Sequence, residues 1–379
     1  MKKCSLVLCL VLLFSLLLPV RAQAAELPLD SESALLMEKE TGQVLYAKNE
    51  HEALEPASVT KVMTLLLVME AIDNHVISYD DVVTASAYAT SMGGSQIYLK
   101  EGEQMTVHDL LKAVCVASGN DAAVALAEYV AGSADIFVEK MNQRAQELGM
   151  TDTHFVNCTG LPADGHVTSA YDIALMSREL ILHHPDIRQF TTIWMDSLRN
   201  GAFGLSNTNK LIRFYDGATG LKTGSTDTAL YCLSATAERD GMELIAAIMK
   251  GPTTNQRFED AKTLLNYGFS TYALYTAQPD EALPPVTVSL GQRETVQPVT
   301  GGIGKLLVQK AQLPSLTKSV TLKDAVMAPV SEGDVLGEMT VSDGSNVLTT
   351  IPLVAGESVP RMSWSELLTE FFRMALMAA

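Results

Sequence analysis

Pro56-Ala57-Ser58-Val59-Thr60-Lys61-Val62-Met63-Thr64-Leu65-Leu66-Leu67-Val68-Met69 opens on a proline, suited to the first turn of a helix, and then runs apolar on nearly every face. Val62, Leu65, Leu66, Met69 and Ile72 recur at helical spacing, while Met63, Leu67 and Val68 fill the remaining faces. The stretch therefore predicts a helix buried in the middle of a domain, with Ser58 and Lys61 in its first turn.

Working outward, Ala34–Met37 and Val44–Ala47 flank a turn at Thr41-Gly42 and read as a β-hairpin. Downstream, Thr106 is placed to cap a helix through Leu110, Leu111 and Val114, and Asp121 to cap another through Val124, Leu126 and Ala127. Ser118-Gly119-Asn120 falls on the connection between them. Leu221–Gly224, Tyr231–Thr236 and Leu244–Met249 read as strands, the last two joined at Asp240-Gly241. A helix from Asn255 to Tyr267 is expected to stop at Gly268. Hairpin, helices, strands and a closing helix describe an α+β domain with an antiparallel sheet, spanning residues 25–278.

Pro284-Pro285 mark a linker. Short β-rich runs at Val286–Leu290, Val335–Val341 and Val347–Leu353 then predict a small all-β, sandwich-like domain over 284–357. In the last segment, 360–379, Trp364, Leu367, Leu368, Phe371, Phe372 and Ala375 share one helical face. Such a helix is expected to lie on a membrane surface, although docking on the β domain would satisfy the same pattern.

The chain begins with Lys2 and Lys3, an apolar run from Leu6 to Val20 and the small-residue site Ala22-Gln23-Ala24, which reads as a secretory signal over 1–24. Its removal takes away Lys2, Lys3 and Arg21, so the formal charge of −17 becomes −20. A charge of that sign makes nucleic acid an unsuitable partner. Cys115, Cys158 and Cys232 would remain, an odd number without the spacing of a disulfide scaffold or a zinc site, and are read as small buried hydrophobes. His154 and His166 stand without a metal-ligand pattern and are read as structural; no metal or cofactor is expected.

Three motifs follow in order: Ser58-x-x-Lys61, Ser118-x-Asn120 and Lys222-Thr223-Gly224. Each of the first two is expected about once by chance in a chain of this length. Ser315-x-x-Lys318 makes the point, since neither of the other motifs follows it. A serine hydroxyl becomes nucleophilic when a neighbouring base takes its proton, and positions i and i+3 are neighbours on a helix. Lys61 serves as that base only when neutral, a state favoured by burial and by a second cation such as Lys222. Ser118 is placed to relay a proton to a leaving amine, and Asn120 to hold Lys61 and a substrate amide. Lys222 and Thr223 suit a carboxylate, and the free backbone amides around Ser58 at the helix start, with that of Ser225, suit a developing oxyanion. Gly224 completes the motif on a strand whose edge fits an extended peptide.

These residues resemble the penicillin-recognising serine enzymes, comprising penicillin-binding proteins and serine β-lactamases. Pro56–Thr64, Asn207-Thr208-Asn209-Lys210-Leu211 and Asp216-Gly217-x-x-Gly220-Leu221-Lys222-Thr223-Gly224 are most similar to the low-molecular-mass penicillin-binding proteins that are serine D-alanyl-D-alanine carboxypeptidases. The resemblance implies a β-lactamase/transpeptidase-like catalytic domain acting on peptidoglycan stem peptides that end in D-Ala-D-Ala, with β-lactam antibiotics as covalent inhibitors. It also implies export to the extracytoplasmic face of a bacterial membrane and an arginine, here Arg257, near the carboxylate site. A class A β-lactamase shares the motif spacing, but Phe155–Asp172 carries no Glu-x-x-Leu-Asn glutamate, and Cys158-Thr159 stand where the carboxypeptidases more usually have Pro-His. A catalytically silent cell-wall binding or sensor protein of the same fold is the alternative from another class.

Overall fold

The computed structural model describes residues 27–302 and 304–377; the signal expected at 1–24 lies outside them. Strands β1 (Ser33–Glu38) and β2 (Val44–Lys48) form the expected hairpin. Helix α1 (Lys61–Asp73) follows a 3-10 turn at Ala57–Thr60, and ten of its 13 residues are buried. Around it pack α2 (Asn120–Ala131) and α3 (Ala170–His183), giving a helical layer. Strands β3 (Ala218–Thr226), β4 (Leu230–Arg239) and β5 (Met242–Gly251) complete an antiparallel sheet in the order β2-β1-β5-β4-β3.

Strand side chains alternate between two layers. Leu35, Met37, Ile245, Ala247 and Met249 join the helical layer, whereas Ala34, Leu36, Leu244, Ala246 and Ile248 meet Phe258, Ala261, Leu264 and Leu265 of α4 (Thr254–Thr271). The catalytic-type motifs therefore converge where β3, the free edge of the sheet, meets the start of α1.

Beyond α4, Tyr272–Thr276 pairs with Lys305–Gln309. Val335–Asp343 and Asn346–Ala355 form a long hairpin inside a four-stranded sheet. Two small cores, one around Val288, Val296 and Leu336 and one around Met339, Ile351 and Leu353, make this part all-β. The chain closes with α5 (Trp364–Met377).

Three local expectations are corrected. Ser58 and Thr60 sit in a 3-10 turn ahead of the α-helix, which begins only at Lys61, and the left-handed backbone of Ala57 (φ 48°) keeps a regular helix from running back to Pro56. Asp121 does not cap α2, whose N-terminal flanking residue is Gly119; its carboxylate is taken up by the backbone amides of Ile97 and Leu99. Gly268 does not stop α4, which continues to Thr271. A Cβ there would lie 2.5 Å from Leu244 Cδ1 and 2.9 Å from Leu36 Cδ2, so this glycine lets the helix pack onto the sheet.

Candidate active site

Ser58 is half-buried, and its turn is held from two sides. Thr60 Oγ1 donates to the Ala57 carbonyl (2.9 Å) and lies 2.7 Å from His166 Nε2. His166 Nδ1 accepts from the Val156 amide (3.0 Å), so the imidazole is neutral with its proton on Nε2, and burial pushes its pKa down to about 4. Gly160 and Gly224 clamp the same turn by close approach. A Cβ on Gly160 would lie 1.8 Å from the Ala57 oxygen, and one on Gly224 would lie 2.7 Å from the Pro56 oxygen and 2.8 Å from Ser58 N.

Lys61 is fully buried and, among the described residues, meets no carboxylate within hydrogen-bond reach. Its Nζ lies 3.0 Å from Ser58 Oγ, 2.5 Å from Asn120 Oδ1 and 2.7 Å from the Thr159 carbonyl. Burial, with the Lys222 charge nearby, holds its pKa well below the usual lysine range. A neutral amine has two N–H bonds and one lone pair. The Asn120 and Thr159 oxygens only accept, so they take the two hydrogens and leave the lone pair for the Ser58 hydroxyl.

Ser118 follows a π-helical turn at Ala113–Ala117, an irregularity common at functional sites, and adopts a left-handed backbone (φ 62°). Its hydroxyl is buried with no hydrogen-bond partner among the described residues. Asn120 donates through Nδ2 to the Gly93 carbonyl (2.7 Å) while its Oδ1 faces Lys61.

On β3, Lys222 is buried, and desolvation lowers its pKa to about 7, with the Arg257 charge adding to the effect. Its Nζ donates to the Thr223 carbonyl (2.8 Å), and Thr223 Oγ1 donates to Thr208 Oγ1 (2.7 Å). Ser225 is exposed next on the strand. Arg257 reaches β3 from α4: Nη1 donates to the Gly224 carbonyl (3.0 Å) and weakly to that of Cys232 (3.3 Å), and its guanidinium lies over the Tyr231 and Phe258 rings. The structure thus gathers Ser58, Lys61 and Asn120 into direct contact and sets Gly224 against their turn. Sequence reasoning missed the Thr159 and Gly93 carbonyls and Thr208. Backbone carbonyls carry no residue signature, so only Thr208, inside Asn207-Thr208-Asn209, offered a signal.

The residues 20–253 match the sequence model of the family described as D-alanyl-D-alanine carboxypeptidase. The chain belongs to this family. Residues 269–361 match a second model, described as the C-terminal domain of penicillin-binding protein 5. Among curated relatives, D-alanyl-D-alanine carboxypeptidase DacF of Bacillus subtilis is 41% identical over 89% of this chain and 88% of its own. The DacD enzyme of Escherichia coli is 35% identical over 90% and 89%. Penicillin-binding protein 5 of Haemophilus influenzae superposes with a TM-score of 0.76 at 27% identity, covering 89% of this chain and 99% of that one. Penicillin-binding protein D2 of Listeria monocytogenes, solved in an ampicillin-bound form, superposes with a TM-score of 0.60 at 34% identity over 65% of this chain and 100% of that one.

Proposed function

We propose that this chain is an exported serine D-alanyl-D-alanine carboxypeptidase that trims the terminal D-alanine from peptidoglycan stem peptides. The observation that carries the reading is Lys61, buried without a carboxylate and 3.0 Å from Ser58 Oγ. Ser58 Oγ attacks the carbonyl of the penultimate D-alanine while its proton passes to Lys61 Nζ. The oxyanion is met by the Ser58 and Ser225 backbone amides. Collapse breaks the C–N bond, the proton travels from Lys61 through Ser118 to the leaving amine, and D-alanine departs. Water then hydrolyses the ester and restores Ser58.

In this reading Asn120 holds Lys61 and the substrate amide, while Lys222 and Thr223 bind the terminal carboxylate. The edge of β3, kept free of a side chain at Gly224, pairs with the extended peptide. Arg257 adds positive potential from behind β3. A β-lactam presents its strained amide to the same serine and stays as an acyl-enzyme. Incubation with labelled penicillin should put one adduct on Ser58; an unlabelled wild type, or a Ser58→Ala variant that still labels, would sink the proposal.

We assign residues 25–278 to catalysis, 284–357 to a supporting β domain and 360–379 to attachment at the membrane surface. Trp364, Leu368, Phe371, Phe372 and Leu376 of α5 are all exposed, leaving its apolar face uncovered. Among the described residues no helix is long and apolar enough to cross a membrane.

A further inference from the structure

Asn120 can present either end of its amide to Lys61, and only one end is an acceptor. The Gly93 carbonyl, itself an acceptor only, takes Nδ2 at 2.7 Å and so turns Oδ1 toward Lys61. The segment carrying Gly93 is pressed directly onto the amide: a Cβ on Gly94 would lie 2.9 Å from Asn120 Nδ2, and the Asn120 backbone amide donates to the Ser95 carbonyl at 2.7 Å. Something must hold this segment, because residues 91–99 contain no helix or strand.

Asp121 supplies the hold from inside. Its side chain is fully buried, and its carboxylate accepts from the backbone amides of Ile97 (3.1 Å to each oxygen), Leu99 (3.0 Å) and Ala122 (2.9 Å). Arg199 holds the same residues from outside, donating to the Ile97 carbonyl (2.9 Å) and pairing with Glu103 (2.7 Å). We propose that Asp121 is a positioning residue for acylation, fixing residues 93–99 so that the Gly93 carbonyl keeps the Asn120 amide turned toward Lys61. The inference rests on the functional reading above and concerns a residue that touches neither substrate nor nucleophile.

The group whose protonation reports this arrangement is Lys61, faced by Lys222 from β3, Cys158 from the loop after Phe155 and Asp121 from α2. Asp121 favours the ammonium form. Removing its charge makes Lys61 lose its proton more readily, so the acid limb of the acylation rate moves to lower pH.

The test is Asp121→Asn in the full chain, with penicillin acylation followed against pH and backbone hydrogen exchange measured over residues 93–99. Acylation should fall roughly tenfold to a hundredfold, the acid limb should move to lower pH, and exchange over 93–99 should quicken. A merely structural role would move the limb through the lost charge but keep the plateau acylation rate, so the tenfold to hundredfold fall is read at the plateau above the limb. A plateau at the wild-type rate, or unchanged exchange over 93–99, overturns the proposal. Should Asp121→Asn not fold, Arg199→Gln decides alone: exchange over 93–99 must quicken and acylation must fall about threefold, since the outer hold is partly exposed and its loss partial, and wild-type values for either overturn it. A wild type that penicillin does not acylate would sink the functional reading instead, and the exchange data would still judge the hold on 93–99.

Discussion

The chain carries Ser-x-x-Lys twice, and the two copies have opposite fates. Ser58 and Lys61 lie across a 3-10 turn into α1, where the three-residue spacing brings Nζ to 3.0 Å from Oγ. Ser315 ends a 3-10 turn and Lys318 lies on the strand Leu316–Leu322, so the same spacing separates the side chains. Ser315 Oγ bonds the Gln312 carbonyl and the Asp343 carboxylate. Lys318 bonds the Gln278 carbonyl and pairs with Asp280, which holds its pKa above the usual lysine value. Lys61 bonds only neutral oxygens among the described residues, and burial drives its pKa down. A lysine becomes a base through what its surroundings withhold, namely water and a carboxylate.

The largest effect that would break this contrast concerns the two lysines themselves. Lys61→Ala should lower both penicillin acylation and D-alanine release roughly a thousandfold or more, whereas Lys318→Ala should stay within about twofold of wild type. Comparable losses in the two variants, read from single-turnover acylation, would erase the distinction.

Gly224→Ala probes the backbone side of the same site. The new Cβ would stand 2.7–2.9 Å from Pro56 O, Ser58 N and Val59 N, so β3 or the Ser58 turn must shift. A shift near 1 Å costs on the order of a hundredfold in rate. Acylation should drop by about that factor while the thermal midpoint moves little, and a fully active Gly224→Ala enzyme would show that β3 need not touch the turn.

Lys222 gives a smaller effect whose sign follows from its pKa of about 7. Carboxylate binding needs the ammonium, which in the free enzyme is lost as pH rises through 7. The KM for a peptide with a free terminal carboxylate should therefore climb about tenfold per pH unit above that point, while the amide of the same peptide stays flat. Parallel profiles for acid and amide would remove Lys222 from carboxylate recognition.

How far this contrast was legible in the sequence depends on what makes each contact. Order and spacing of side chains separate Ser58 from Ser315 in the sequence itself, and hydrophobic period marks the buried helix that lowers the Lys61 pKa. The carbonyls of Gly93 and Thr159 were invisible because every residue type has one. Gly268 misled because glycine serves both as a helix terminator and as a site of close packing, and only the neighbouring Leu244 and Leu36 decide which. Asp121 misled for a related reason: its position suits a cap, but its oxygens were already engaged by a segment more than twenty residues earlier.

The smallest effect tests the support of the Ser58 turn, which the Ser315 turn has no counterpart for. His166 accepts a backbone proton at Nδ1 and holds Thr60 through Nε2, so it must be neutral to do both. Its folded pKa of about 4 lies below the unfolded value near 6.5, so the folded state binds fewer protons between those pH values. The stabilisation is complete above about pH 6.5 and is lost progressively as pH falls toward 4, by up to about 3 kcal/mol. Other carboxylates titrate in the same range, which is why the comparison must be made against His166→Gln. At pH 7.5 the variant should be the less stable of the two in urea, and the gap should close by about 2–3 kcal/mol at pH 4.5. A gap that stays constant across that range would mean that the imidazole, although buried, is not titrating against the fold, and that Thr60 rather than His166 holds the nucleophile's turn.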